Sequence, residues 1–143
     1  MKKKVFGHTI VLSVSIMTGC YRHIRIPLSM TLEDLAEEIL YAFEFDNDHL
    51  YAFFMDGKAW SSANAYYCRE SSENEGNPYA CDVTLYSFGL GKGDSFLFLF
   101  DFGDEWRFKC KVLRVTDEDT QCVQVMKSVG DAPLQYPDPD EDW

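Results

Sequence analysis

The chain has 143 residues, 46% of them hydrophobic and 15% aromatic, and a formal net charge of −11. This is the size and make-up of one globular domain with a full apolar core. No stretch reaches the roughly 18 consecutive apolar residues of a membrane-spanning helix, so no membrane association is expected, and nucleic acid is disfavoured because most of so acidic a surface repels a polyphosphate.

The first thirty residues break the acidic trend. They hold Lys2, Lys3, Lys4, Arg22 and Arg25 and no acid, so all 24 acids fall later. Within them, "MKKKVFGHTIVLSVSIMTGC" has two readings. It resembles a lipoprotein export signal ending at Cys20, and it also alternates as a strand does, with Ile10, Leu12, Val14 and Ile16 opposed to Val11, Ser13, Ser15 and Met17. The two-residue period and the β-branched content favour the strand. Thr18-Gly19 then marks a turn, and Tyr21 to Leu28 a second strand with Ile24 and Ile26 on one face and His23 and Arg25 on the other.

After Pro27, "TLED" (Thr31 to Asp34) has the form of a capping box with Asp in its last position. A helix is expected from there to about Glu44, with Leu32, Leu35, Ala36, Ile39, Leu40 and Phe43 as its apolar face. "FDNDH" reads as a turn and Leu50 to Met55 as a third strand. Residues 58–82, rich in Ser, Asn, Gly and Glu, show no period and read as a loop. Leu85 to Leu90 suggests a helical turn. "DSFLFLFDF" and "EWRFKCKVLRV" flank Gly103-Asp104 as a hairpin. Its first arm is apolar on both faces, as in a central strand. Its second alternates Trp106, Phe108, Cys110 and Val112 with Arg107, Lys109 and Lys111. Gln121 to Lys127 is a candidate edge strand.

These elements make an α+β domain: a mixed β-sheet with one main helix packed on one face, in ββαβ(loop)ββ order. The ββαβ start resembles a ubiquitin-like β-grasp, which carries no function by itself. One domain over residues 1–130 is expected, with an acidic, Pro-rich tail at 131–143 that is extended unless Tyr136 or Trp143 docks.

Three stretches carry a family resemblance. "YRHIRIPLSMTLEDLAEEILYAFEFDNDHLYAFFMDG", "GDSFLFLFDFGDEWRFKCKVLRV" and "GDAPLQYP", in that order, resemble the plasmid ORF-three-like family, named for an open reading frame of a root-inducing plasmid. Its shared features are an Arg-containing strand, a helix opened by Thr-Leu, His-Leu before a strand, and Asp-Phe-Gly-Asp-x-Trp. The resemblance implies that residues 5–28 belong to the fold and links the chain to passenger proteins of insertion sequences; it implies no activity. The chain departs from the family at Tyr21, where many relatives have Trp, and at Phe108, where many have His. The second change takes away a metal ligand or proton carrier.

Candidate chemistry is sparse. The letters DFG occur without the glycine-rich loop, Val-Ala-x-Lys strand or His-Arg-Asp of a kinase. Gly103 suits a tight turn of positive φ, with Asp101 or Asp104 accepting backbone N–H groups and Trp106 anchoring the second arm. The functional alternative is a His49, Asp101 and Asp104 cluster that binds a hard cation or moves a proton, as in a hydrolase. Arg22, Arg25, Arg107, Lys109 and Lys111 are candidate binding residues for an anion or nucleic acid if their strands lie side by side. Cys20, Cys68, Cys81, Cys110 and Cys122 form no CxxC and no zinc spacing, so reduced thiols in a cytoplasmic protein are expected, with no metal and no cofactor. The first expectation is a non-catalytic binding or adaptor module for a protein partner. A nucleic-acid-associated protein is the alternative, and a hydrolase the third.

Overall fold

The alternating first thirty residues fold into a hairpin. In the computed structural model, which describes residues 7–74 and 76–136, strands β1 (Thr9–Met17) and β2 (Cys20–Pro27) pair antiparallel around Gly19, whose φ of 82° is accessible because it has no Cβ. Lys2, Lys3 and Lys4 of the basic first thirty residues lie outside the described residues.

Helix α1 (Leu32–Ala42) follows. Thr31 Oγ1 accepts from the Asp34 N–H at 3.1 Å, and the Asp34 carboxylate accepts from the Thr31 N–H at 3.0 Å, so the expected capping box is formed. All six expected apolar-face residues are buried. The chain then lays down β3 (Tyr51–Phe54), β4 (Ala65–Tyr67), two 3₁₀ turns (Ala80–Asp82 and Leu85–Phe88), β5 (Ser95–Phe100), β6 (Trp106–Thr116) and β7 (Gln124–Val129). Strand β4 and the first 3₁₀ turn fall inside the stretch read as loop.

The seven strands form one sheet in the order β4-β3-β5-β6-β1-β2-β7. Every neighbouring pair is antiparallel, which corrects the expected mixed sheet. The helix does carry the chain from β2 to a co-directional β3, but β1, β6 and β5 lie between those two strands. Each of them runs against its neighbours, so no parallel pair remains. A β-grasp needs a parallel pair beside β1. Here β1 is flanked by β2 and β6, so that likeness ends after ββα.

One face of the sheet packs under α1. Ile10, Leu12 and Val14, Ile24 and Ile26, Phe53, Phe96, Phe98 and Phe100, and Phe108, Cys110 and Val112 join the helix residues in the main core. The Phe53 and Phe98 rings stack at 4.7 Å, and Phe43 meets Phe108 edge-on at 5.2 Å. The other face is covered over only part of its width. Ala52, Phe54, Ala65, Tyr67, Leu97 and Leu99 form a smaller core with Ala59 and Phe102. Two cores sharing β5 explain why that strand is apolar on both faces. Beyond β5, no apolar cluster among the described residues covers the outer face of β6, β1, β2 and β7.

Candidate functional site

The sequence-predicted residues fall into two places. His49, at the end of the turn after α1, lies between two carboxylates. Its Nδ1 is 2.8 Å from Asp48 Oδ1 and its Nε2 is 3.6 Å from Asp101 Oδ2. Tyr136 donates its hydroxyl to Asp48 Oδ2 at 2.8 Å and sits 3.0 Å from His49 Nδ1. Gln135, buried, locks the same corner: its amide nitrogen donates to the Asp46 carbonyl at 3.1 Å and to Asp48 Oδ1 at 3.2 Å.

The hydrogen bond with Asp48 raises the His49 pKa above its ordinary value; the charges of Asp101, Asp48 and Asp104 add to this, against a smaller opposing effect of lost hydration. Desolvation first, then the Asp48 bond, pushes the Tyr136 phenol up to about 12. Asp101 is 6% exposed and holds a left-handed φ of 66°, which Asp tolerates through local hydrogen bonds. Its Oδ1 accepts from the backbone N–H of Gly103 at 3.0 Å and of Asp104 at 3.3 Å. The positive φ values of the turn thus belong to Asp101 and Glu105, not to Gly103 as expected. His49 and Asp101 do come together, whereas Asp104 joins through its backbone. The cluster ties three segments: the turn before β3, the β5–β6 turn and residues 135–136. Among the described residues no three His, Cys, Asp or Glu side chains are placed to hold a metal ion. Phe108 is fully buried in the main core.

The second place is this outer face of β6, β1, β2 and β7. Arg107, Lys109 and Lys111 project from it on β6, as their alternation implies. Cross-strand pairing sets Lys111 beside Ser13, Ser13 beside His23, and His23 beside Lys127. In the next row Arg114 opposes Val11, and Val11 opposes Arg25. Arg25 pairs with Glu118 and Arg107 with Glu105, each at 3.0 Å. Lys127 lies over the Tyr21 ring at 5.8 Å. Burial, then the charges of Lys127 and Arg114, lower the His23 pKa.

Arg22 does not belong to this face, and the expectation that it does is corrected. It is 7% exposed, on the helix side, and donates to the carbonyls of Ala42, Tyr21, Val129 and Gly130. Its parity matches Ile24 and Ile26, so the strand's own alternation turns it inward. Arg114 and Lys127, absent from the expected set, complete the face. The β1–β6 bulge between Val11 and Leu12 brings Arg114 to the outer side, and no sequence pattern marks that shift.

The family model described as plasmid pRiA4b ORF-3-like protein matches residues 7–136. The chain belongs to the plasmid pRiA4b ORF-3-like family. The matched segment contains the whole His49 tether and the whole basic face. A crystal structure of a protein of unknown function from Methanosarcina mazei Go1 is similar to this member of the family, with 21% identity, 94% of this chain and 69% of that chain covered, and a TM-score of 0.60. At that identity the likeness shows a shared fold. No curated protein matches the chain.

Proposed function

We propose that this plasmid pRiA4b ORF-3-like protein is a non-catalytic binding module that presents the open face of β6, β1, β2 and β7 to an acidic segment of a protein partner. The carrying observation is a separation of charge. Six of the thirteen Lys and Arg residues, Arg25, Arg107, Lys109, Lys111, Arg114 and Lys127, share that face, and the four strands contain no acid. Glu33, Asp34, Glu37 and Glu38 lie on α1, across the sheet. Such a field steers an acidic partner to one side of an acidic molecule.

Two features favour a peptide over nucleic acid. Tyr21 is the one Phe, Tyr or Trp in the four strands' outward positions, and it is occupied by His23 at 5.3 Å and by Lys127, so no row of rings stands ready to stack bases. In addition, β7 is an edge strand, and an extended peptide can join such an edge through main-chain hydrogen bonds. Five unpaired cysteines fit a reducing compartment.

The test is fluorescence anisotropy with a glutamate-rich peptide and, separately, a single-stranded oligonucleotide. The peptide should bind at low salt and weaken as salt rises. Combined Lys109→Glu, Lys111→Glu and Arg114→Glu substitution should abolish that binding. Absence of peptide binding, equal binding by the reversed variant, or a preference for the oligonucleotide would each refute the reading.

A further inference from the structure

Most of the basic face lacks a counter-charge. Arg25 pairs with Glu118 and Arg107 with Glu105, whereas Lys109, Lys111, Arg114 and Lys127 have no ion-pair partner among the described residues. Between them the outward side chains of β1 are small. Ser15 is flanked by Lys109 on β6 and Tyr21 on β2, and Ser13 by Lys111 and His23. A shallow trough therefore follows β1, with cations along its β6 side. We propose that residues 137–143 of the same molecule, "PDPDEDW", dock along this trough and compete with the acidic partner for it. The inference rests on the reading of this face as a binding surface and adds its regulation.

The spacing of charge supports the match. Asp138, Asp140 and Asp142 recur at every second residue, as Arg107, Lys109 and Lys111 do on β6. In extended chains that repeat is about 6–7 Å, so a row of carboxylates and a row of cations can stay in register over their whole length. Pro137 and Pro139 bias their segment towards extended backbone and lack an N–H. Such a segment is poorly suited to lengthen a sheet edge through main-chain bonds, but contact through alternate carboxylates needs no such bonds.

The reach is sufficient. Tyr136 is tied to Asp48 and His49, and His49 sits against Asp101 in the β5–β6 turn. Strand β6 begins directly after that turn, at Trp106. The described chain thus stops at the end of the sheet from which the Arg107, Lys109 and Lys111 row starts. Residues 137–143 span at most about 23 Å, and the row from Arg107 to Lys111 is about 13 Å long. That leaves enough chain to round the end of the sheet. The negative charges of Asp48, Asp101 and Asp104 act on Tyr136 at the point of departure, so an acidic segment is repelled from this corner and drawn to the cations beyond it. Tethering supplies an effective concentration in the millimolar range, so a weak contact within one molecule is populated.

Amide nuclear magnetic resonance spectra of the full chain provide the test, compared with a variant carrying Asp138→Asn, Asp140→Asn, Glu141→Gln and Asp142→Asn. Outside the substituted segment, shift differences should concentrate at residues 107–111 and at Ser13 and Ser15. They should not change on dilution, and they should fade as salt rises from about 20 mM to about 0.5 M. The glutamate-rich peptide should bind the variant about five- to tenfold more tightly than the parent. Shift differences absent from β1 and β6 overturn the inference. Differences that vanish on dilution also overturn it, because the occupant is then a second copy, and so does equal peptide affinity for the two proteins. If the shifts behave as expected but the peptide binds neither protein, the docked segment stands and the reading of the face as a partner site falls. If the peptide binds both proteins equally and no β6 shift differs, the partner site stands and the docked segment falls.

Discussion

The guanidinium of Arg22 lies 4.8 Å from the centroid of the Phe43 ring, at the point where α1 ends. From there it donates to the carbonyl of Ala42 at 3.2 Å and to those of Val129 and Gly130 at 3.0 and 3.1 Å. One side chain therefore satisfies the helix C-terminus and pins the last strand, using the fixed fork of the guanidinium. Arg22→Ala removes this shared donor from all three carbonyls and the packing on Phe43. It should cost about 2–4 kcal/mol. Arg22→Lys should recover only part, since an ammonium does not span all the acceptors. Urea unfolding followed by tryptophan fluorescence reads both losses as lowered midpoints.

Arg22 also shows where sequence reading succeeds and where it stops. The alternation of β2 is correct throughout, and it puts Arg22 in phase with Ile24 and Ile26. Reading a charged side chain as a surface group sets that phase aside, although an Arg that reaches several carbonyls is at home inside. The hairpins and α1 were legible because each depends on local pattern: the Gly19 and Gly103-Asp104 turns, the alternation of β1 and β6, and the Thr31–Asp34 box. Strand β4 was not, because Ala65–Tyr67 is three residues long and owes its pairing to Phe54 and its neighbours on β3. The strand order was equally hidden, since the insertion of β6 beside β1 is decided by packing across the whole sheet. At the His49 corner the motif marked His49 and Asp101, whereas Asp48, Gln135 and Tyr136 arrive from turn geometry and from the far end of the chain.

His49 should make stability depend on pH in a defined sense. Its folded pKa is raised, by the Asp48 hydrogen bond and then by the Asp101, Asp48 and Asp104 charges, so the folded state holds the proton more tightly than the unfolded chain. That stabilisation is complete below the unfolded value of about 6.5 and disappears as pH rises through the folded value. His23 has the opposite sign, because its folded pKa is lowered. The two overlap in one window, so the comparison must be differential. Nuclear magnetic resonance titration should put the His49 midpoint above the His23 midpoint, and Asp48→Asn should bring it down. The stability difference between the parent and His49→Gln should shrink as pH rises. A difference that grows with pH would show that Asp48 and Asp101 do not hold an imidazolium.

Gly130 and Gly19 both have left-handed backbones, at φ of 79° and 82°, but only one is crowded. A Cβ on Gly130 would sit 2.2 Å from the Gly19 carbonyl oxygen and 2.9 Å from Cys20 Cα. A Cβ on Gly19 would meet nothing within 4 Å. Gly19→Ala should therefore cost only the conformational preference, about 1 kcal/mol. Gly130→Ala adds a backbone collision that forces the end of β7 away from the first hairpin, and should cost clearly more, about 2–4 kcal/mol. Hydrogen exchange should show the extra loss of protection concentrated in β7 and in its pairing partners on β2. Equal costs at the two positions would mean that β7 is not seated against the hairpin turn.

Trp106 offers a test of one polar atom within an apolar contact. Its ring meets Phe45 edge-on at 5.0 Å at the start of β6, yet its Nε1 is buried without a hydrogen-bond partner among the described residues. Such a donor costs roughly 1–3 kcal/mol when left unmade. Trp106→Phe removes the donor along with part of the ring, so the lost area and the relieved penalty oppose each other. Its net effect should lie within about 1 kcal/mol of the parent. Trp106→Ala loses the aromatic contact outright and should cost about 2–3 kcal/mol, below the usual range for a fully enclosed Trp because this residue is only half-buried. The measurement is the pair of unfolding free energies in urea, followed by circular dichroism since the substitutions alter the fluorescence. A Phe variant as unstable as the Ala variant would mean that the indole N–H has a partner in solution and contributes favourably to the fold.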